Sequence, residues 1–406
     1  MGSSLGDFDE LKAQLDFEQS NYSPAIAQYT KLINSSKSPR LLPYALSRRA
    51  ASYYNIKSYD QAANDYVTIF DKYPTHPVAS QDLLVLLQES LNLSNRSAQF
   101  DKYLSEYKGA HPDEKGIESV EFESVKNAYY NQNYAKAIES FSKYEAGYPE
   151  SPRMTEAKYY QGESYYRLKD YTKSLEVFGQ ISNDPTFTMQ SKVVARIGEL
   201  EYKLGHIEKA AIAFRRLDLI STNKKEQATA WNGLMESYFI LGKYDSTDIF
   251  AKKILEEGNV NVGAQNKASL YLGKSAKAKG DYETAKDEFV STLNTARDEY
   301  GAEAKYLLGE IFFLTKQYKQ CTETLIALST DFSSYDEWVG KAFLLLADNF
   351  LAQGDAFQAK GTLKSLIENH PLQVIKDQAR TKLNAIEQNE LKKKSLEKAD
   401  TTDNEK

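Results

Sequence analysis

Apolar residues recur along most of this chain at spacings of three and four, the periodicity of amphipathic helices. Short polar turns such as QNY, KDY and KGD divide the helical segments into pairs. Proline-containing turns such as GYPESP (147–152) and NHP (369–371) separate one pair from the next. Proline ends a helix there because it lacks the backbone N–H that a helix interior requires. No stretch sustains the alternation of a β-strand, so the pattern predicts an all-α chain of helix hairpins.

A small residue recurs in the second helix of each predicted hairpin, at intervals of 36 to 39 residues. This small-residue column consists of Ala25, Ala62, Ala98, Ala137, Ser174, Ala210, Thr247, Ala285, Cys321 and Ala359. Four residues later the chain usually has a ring or Leu, as at Phe141, and twelve residues earlier a Gly or Ala, as at Gly198. Small residues let two helices cross closely, and the ring fills the space beside the crossing. A period this regular predicts a solenoid.

The columns resemble the tetratricopeptide repeat (TPR) family. Signature positions of that family are filled in two repeats by Gly162, Tyr165, Ser174, Phe178, Trp231, Leu234 and Tyr238. The resemblance covers roughly residues 7–371, about ten repeats, with a period near 37 rather than the usual 34. It implies a right-handed superhelical solenoid without catalytic activity. The longer period and the tyrosine-rich helices resemble bacterial cell-envelope members, such as those associated with Tol–Pal or with outer-membrane protein assembly.

Three segments are predicted. Residues 1–371 form the solenoid, and residues 372–394 form a helix that caps its last apolar face. Residues 395–406 offer little to bury, and we expect them to be disordered.

Composition narrows the function further. The net charge of −6 comes from 57 acidic and 51 basic residues, which disfavours a nucleic-acid platform with its concentrated basic face. No apolar run reaches the roughly 18 residues of a transmembrane helix. The first residues, MGSSLGDFDELK, have neither the basic nor the apolar segment of a signal peptide. We therefore expect none within the sequence as given.

Candidate catalytic and metal-binding groups do not form a site in the sequence. The segment ASLYLGKS (268–275) nearly matches the sequence motif of a phosphate-binding loop, but it lies inside a predicted helix rather than after a strand. Cys321 falls in the small-residue column, where a buried structural thiol is expected. The four histidines lie whole repeats apart in turns, without the i, i+4 spacing of a metal site. We predict no enzyme activity, no metal and no cofactor.

The first helices present a row of rings eight residues before the small-residue column. We call this row the ring stripe; it comprises Phe17, Tyr54, Tyr129, Tyr166, Tyr202, Phe239 and Phe313. Three residues earlier stand carboxylates, among them Glu163, Glu199 and Glu236. In TPR proteins the first helices line the concave surface, so the resemblance implies a groove of rings and acids. The alternative interpretation is that these rings pack between adjacent hairpins as core.

The leading hypothesis is a scaffold that binds protein or peptide partners along this groove, at Tyr129, Glu163, Tyr166, Glu199, Tyr202, Glu236, Phe239 and Phe313. Acids in the groove favour basic or aromatic segments over a C-terminal carboxylate. Two alternatives are a structural adaptor of a bacterial envelope complex, docking by its convex face or ends, and a module in which tyrosines stack cell-wall glycan. We expect a periplasmic or envelope location if the native protein carries an upstream signal, and a cytoplasmic one otherwise.

Overall fold

The computed structural model describes the backbone of residues 3–36, 38, 40–112, 116–257 and 262–403, with side chains between residues 10 and 392. The described residues form helices and turns without a strand, which confirms the all-α prediction. Over the ranges just given, successive helices pair into ten hairpins, followed by a last single helix.

The chain separates into two compact units, Met1–Thr188 and Met189–Lys406. The first unit holds hairpins 1 to 5, made of α1 (Ser3–Glu18) and α2 (Tyr22–Ser35), α3 (Leu42–Asn55) and α4 (Tyr59–Lys72), α5 (Gln81–Leu93) and α6 (Phe100–Ala110), α7 (Ile117–Tyr130) and α8 (Tyr134–Gly147), and α9 (Met154–Arg167) and α10 (Tyr171–Ile181). The division falls in the 182–189 connection, a longer break between helices than the hairpin turns. A single solenoid over residues 1–371 stays a prediction.

The second unit holds the other hairpins and the last helix. Hairpins 6 to 10 consist of α11 (Gln190–Lys203) and α12 (Ile207–Ile220), α13 (Lys224–Ile240) and α14 (Tyr244–Glu256), α15 (Val262–Ala278) and α16 (Tyr282–Thr295), α17 (Glu299–Leu314) and α18 (Tyr318–Asp331), and α19 (Asp336–Ala352) and α20 (Ala356–Asn369). The last helix is α21 (Gln373–Asp403). Among the described residues, no helix combines the length and the apolar character needed to span a bilayer.

The small-residue column lies at the helix crossings, as predicted. Nine of its ten members have no exposed surface: Ala25, Ala62, Ala137, Ser174, Ala210, Thr247, Ala285, Cys321 and Ala359. The ring four residues later packs against the small residue of the first helix. A Cβ added to Gly198 would come within 2.8 Å of the Phe214 ring, closer than a real Cβ contact allows. Close crossing is therefore possible because these positions carry little or no side chain.

Hairpin 3 departs from the predicted alignment by two residues. Ala98 is exposed and lies in a single 3₁₀ turn, Ser97–Gln99, that delays the start of α6. Phe100, which is 1% exposed, occupies the place that small residues hold elsewhere, and Leu104 follows it four residues on. The assignment of Ala98 to the buried column is wrong, because the extra turn shifts the helix register.

Each hairpin turn contains one residue with a left-handed backbone conformation. These residues are Ser20, Lys57, Asn95, Gln132, Lys169, Gly205, Gly242, Gly280, Lys316 and Gly354. Nine of them stand five residues before the small-residue column. Asn95 stands five before Phe100, which independently supports the shifted register of hairpin 3. Glycine adopts this conformation without strain, and Asn tolerates it better than most residues do.

The last helix closes the second unit. Ile375, Ala379 and Leu383 of α21 are buried against α19 and α20, as a capping helix requires. The sequence pattern predicts that this helix ends at residue 394, whereas in the structure the helix continues through Asp403. Residues 391–399, LKKKSLEKA, are mostly strong helix formers, and neither Gly nor Pro interrupts them. Residues 404–406 of the predicted disordered tail lie outside the described residues.

Candidate partner-binding surface

The first helices of neighbouring hairpins touch one another within each unit. Contacts join α5, α7 and α9 in the first unit, and α11, α13, α15, α17 and α19 in the second. Within each unit these helices form a layer, which we call the first-helix layer. The rings Tyr129, Tyr166, Tyr202, Phe239 and Phe313 of the ring stripe lie on it, near the C-terminal ends of their helices. A partner segment lying along this layer would cross several hairpins.

The rings of the stripe pack against the hairpin turn that follows them. In six hairpins the stripe ring meets another ring five residues later, at the start of the second helix. The centroid separations are 5.8 Å for Phe17–Tyr22, 5.4 Å for Tyr54–Tyr59, 5.7 Å for Tyr129–Tyr134, 5.7 Å for Tyr166–Tyr171, 5.7 Å for Phe239–Tyr244 and 6.4 Å for Phe313–Tyr318. This pairing fixes the orientation of each ring. All seven rings of the ring stripe are half-buried. Part of each ring therefore packs against the protein, and the rest is accessible to a partner.

In the first unit, Tyr129 packs against the first helix of the next hairpin. It lies 5.1 Å from Tyr160 of the next first helix, and burial raises the pKa of its hydroxyl, helped by the nearby charge of Glu163. Glu163 itself is buried, with 4% of its surface exposed. The acid predicted between the rings therefore does not face solvent there.

In the second unit, Phe239 lies at the centre of a larger cluster. Tyr271 of α15 approaches it at 5.3 Å, and the Lys274 ammonium lies 5.2 Å from its centroid and 4.6 Å from that of Tyr271. Burial raises the pKa of Tyr202, which stands close enough to Tyr271 to affect that residue's pKa as well. The sequence did not single out Tyr271 or Lys274 as part of a cluster, because α15 has Lys277 where other hairpins carry the stripe ring.

The carboxylates of the second unit are paired with cations. Lys267 contacts Glu236, and Glu199 pairs with Arg196 at 2.5 Å and with Lys203 at 3.8 Å. Burial, together with the positive charge of Lys274 nearby, lowers the pKa of Lys267. The negative field expected along the stripe is thus partly neutralised within the protein.

The same pattern of pairing continues along the second unit. Lys274 reaches Glu303 at 2.8 Å, and Lys382 reaches Asp348 at 2.7 Å. Each pair joins one first helix to the next in the layer, or to α21, so the charges link neighbouring hairpins. Sequence spacing alone did not reveal these pairs, because their members lie 29 and 34 residues apart.

The residues set aside as chemically inactive occupy structural positions. Cys321 is fully buried, and burial raises the pKa of its thiol to about 12. The segment 268–275 lies inside α15, where Gly273 faces the Phe289 ring, so its backbone N–H groups are not arranged as a phosphate-binding loop. Across the described residues, no three His, Cys, Asp or Glu side chains are grouped in a way that would hold a metal ion.

Comparison with known proteins identifies the repeat type. Residues 122–185 match one tetratricopeptide repeat family model and residues 341–372 match another. No curated protein sequence matches the chain.

Solved structures with a similar arrangement are distant in sequence. A tetratricopeptide repeat protein from Parabacteroides merdae is 17% identical, with a TM-score of 0.47 over 65% of this chain and 97% of its own. The C-terminal part of a TPR repeat-containing protein from Cytophaga hutchinsonii is 17% identical, with a TM-score of 0.47 over 63% and 98%. Yeast Tom70 is 13% identical, with a TM-score of 0.37 over 96% and 97%.

The two matched segments lie in different units, and both contain the small-residue column and the turn geometry of the other hairpins. Tetratricopeptide repeats are therefore present in both units.

Proposed function

We propose that this protein is a non-catalytic scaffold that binds segments of partner proteins along the first-helix layer. The observation that carries the proposal is the ring stripe. Its seven rings are half-buried rather than enclosed in the core, and six of them are held in place by a ring of the same hairpin. Rigid rings with polar ends bury a large area at low cost in rotamer entropy, which suits them to interfaces.

The two units offer different partner chemistry. In the first, Tyr129 and Tyr166 lie beside a buried acid, so apolar and aromatic contacts dominate. In the second, Tyr202 and Phe239 lie among acids that are paired with lysines. A partner with basic and aromatic side chains contacts the rings and competes with these lysines for the acids. Because these acids already have cationic partners, we expect salt to weaken binding only moderately.

Single substitutions on the ring stripe test the proposal. Partners captured by the full chain are identified, and their affinities for Tyr166→Ala and Tyr202→Ala are measured by titration. Each change should weaken binding by about 1–3 kcal/mol, as truncation of an interfacial ring does, and should leave most of the stability in place. A large loss of stability with unchanged affinity would show that these rings belong to the core and not to the binding surface.

Tyr144→Ala is the matched control. This tyrosine has no exposed surface and packs against Phe122 at 5.3 Å. Its truncation should cost roughly 3–5 kcal/mol of stability, because it opens a cavity, without selective loss of affinity in the folded fraction. Partners that bind all three variants alike would instead favour docking by the second helices or the ends, as for a structural adaptor.

A place in the bacterial cell envelope stays a prediction, supported by the tyrosine-rich helices and the long repeat period. Cell fractionation of the native source tests it, with recovery in the cytosolic fraction as the contrary result.

A further inference from the structure

A cavity of about 560 Å³ lies in the first unit between hairpins 3 and 4, with walls from α5, α6, α7 and α8. Its origin is the shifted register of hairpin 3. Phe100 fills the crossing where a small residue would allow close approach, and α6 makes few contacts with either α5 or α7. The space that other hairpins fill with packed side chains is open here, and its volume falls in the range of about 300–1,000 Å³ seen for ligand pockets.

One buried donor in the wall has no acceptor. Gln88 is 5% exposed and lines the cavity, and its Nε2 makes no hydrogen bond within the described residues. An amide buried without a partner destabilises the fold, so a ligand that accepts this hydrogen bond gains affinity. The side chains of Asn92, Asn127 and Ser124 also line the cavity and offer further polar groups to a ligand.

The charges around the cavity are already matched. Lys108 pairs with Glu121 at 2.5 Å, Lys136 with Asp101 at 2.5 Å, and Lys143 with Glu139 at 2.6 Å. A phosphate or an acidic ligand would have to displace a carboxylate to reach any of these lysines. The cavity therefore favours a neutral ligand rich in hydrogen-bonding groups.

The spacing of the amides selects the kind of neutral ligand. Gln88 and Asn92 on α5 are four residues apart, and so are Asn127 on α7 and Asn131 directly after its end. This spacing places the members of each pair about 6 Å apart along the helix axis. An extended polypeptide repeats its N–H and C=O groups every two residues, or about 6.6 Å. A carboxamide both donates and accepts, as a peptide group does. Phe100, the aromatic residue of the lining, is too buried to stack a sugar.

We propose that this cavity binds a short extended peptide segment through its main-chain amides, at a site independent of the ring stripe. Gln88 and Asn92 contact the segment from one side and Asn127 and Asn131 from the other. Because recognition rests on the main chain, the bound segment is defined by small, uncharged side chains.

The test begins with the full chain and a display library of random heptapeptides. Enriched peptides are synthesised, and their affinities are measured for the wild type, Gln88→Leu, Asn127→Ala and the control Asn369→Ala, whose side chain is exposed at the far end of α20. We expect at least a tenfold loss of affinity for Gln88→Leu and Asn127→Ala and no change for Asn369→Ala. N-methylation of alternate peptide bonds should abolish binding.

Gln88→Leu also separates binding from folding. It removes the unpartnered donor, so its melting temperature should stay equal to that of the wild type or shift upward while peptide affinity falls. Three results would overturn the proposal: no enriched peptide, enriched peptides with undiminished affinity for Gln88→Leu and Asn127→Ala, or binding of maltose but not of peptides. Peptides that lose affinity with Tyr166→Ala instead would overturn this site and leave the ring stripe supported.

Discussion

The Phe178 ring lies directly over Gly162, with its Cζ atom 2.9 Å from the point that a Cβ on this glycine would occupy. The Ser174 hydroxyl, from the same second helix, donates to the Gly162 carbonyl oxygen at 2.9 Å. These two contacts hold α9 against α10. Similar crossings recur at Gly198 and Gly273 in the second unit, so the packing of a ring against a glycine holds the two helices together in several hairpins.

Gly162→Ala should destabilise the protein although alanine favours helices. The added methyl must displace a fully buried ring, at about 1–3 kcal/mol, which exceeds the roughly 0.5–1 kcal/mol gained in helix propensity. Gly179→Ala, in the partner helix, meets no atom within 4 Å and should stabilise. Urea unfolding followed by circular dichroism compares the two variants. A stabilised Gly162→Ala would mean that the crossing relaxes freely.

Hairpin 3 should exchange its amide hydrogens earlier than hairpin 5. Its helix α6 is short, begins after a 3₁₀ turn and borders the cavity, so fewer buried contacts oppose local opening. Hydrogen exchange read by mass spectrometry should show faster uptake in 81–110 than in 154–181. Equal protection of the two segments would contradict this expectation.

Cys321 should tolerate replacement by alanine and resist labelling. Six of the nine fully buried members of the small-residue column are already alanine, so Cys321→Ala should cost little stability. The thiolate is the reactive form, and burial raises the pKa of this thiol to about 12. Modification by a thiol reagent should therefore follow the unfolding rate across a urea series. Rapid labelling of the native protein would show an accessible thiol.

Tyr54 should titrate well above an ordinary tyrosine. Its hydroxyl donates to the Glu89 carboxylate of hairpin 3, which raises the pKa of Tyr54 to about 12. Between pH 10 and 12 the unfolded chain loses this proton while the native chain keeps it, so stability falls as the pH rises through that window. NMR titration of ¹³Cζ-labelled tyrosine measures the shift, with Tyr54→Phe to assign the signal.

Glu89→Gln provides the control for that titration. The amide keeps a hydrogen-bond acceptor without the negative charge, so the pKa of Tyr54 should fall toward its ordinary value. An unchanged titration in this variant would mean that burial, rather than Glu89, holds the proton.

Local periodicity was enough to predict the helices, the hairpins and most of the buried column. Small residues such as Ala137 and Cys321 recur at one position, and that position is buried wherever the helix register holds. The register of hairpin 3 was misassigned because Ala98 fits the interval and Phe100 does not look like a small residue. Asn95, a residue that tolerates the left-handed turn, was the signal that would have corrected it.

The chain sequence by itself determined what depends on neighbours along a helix: which faces are apolar, where turns fall and which repeat is irregular. Tertiary structure decided the environment of the candidate surface. Lys267 and Glu236 lie 31 residues apart, yet they neutralise each other, and Tyr129 meets Tyr160 only because α7 packs on α9. Charge and exposure at these positions depend on contacts between neighbouring hairpins. The sequence pattern of one helix does not specify which side chain of the next hairpin packs against it.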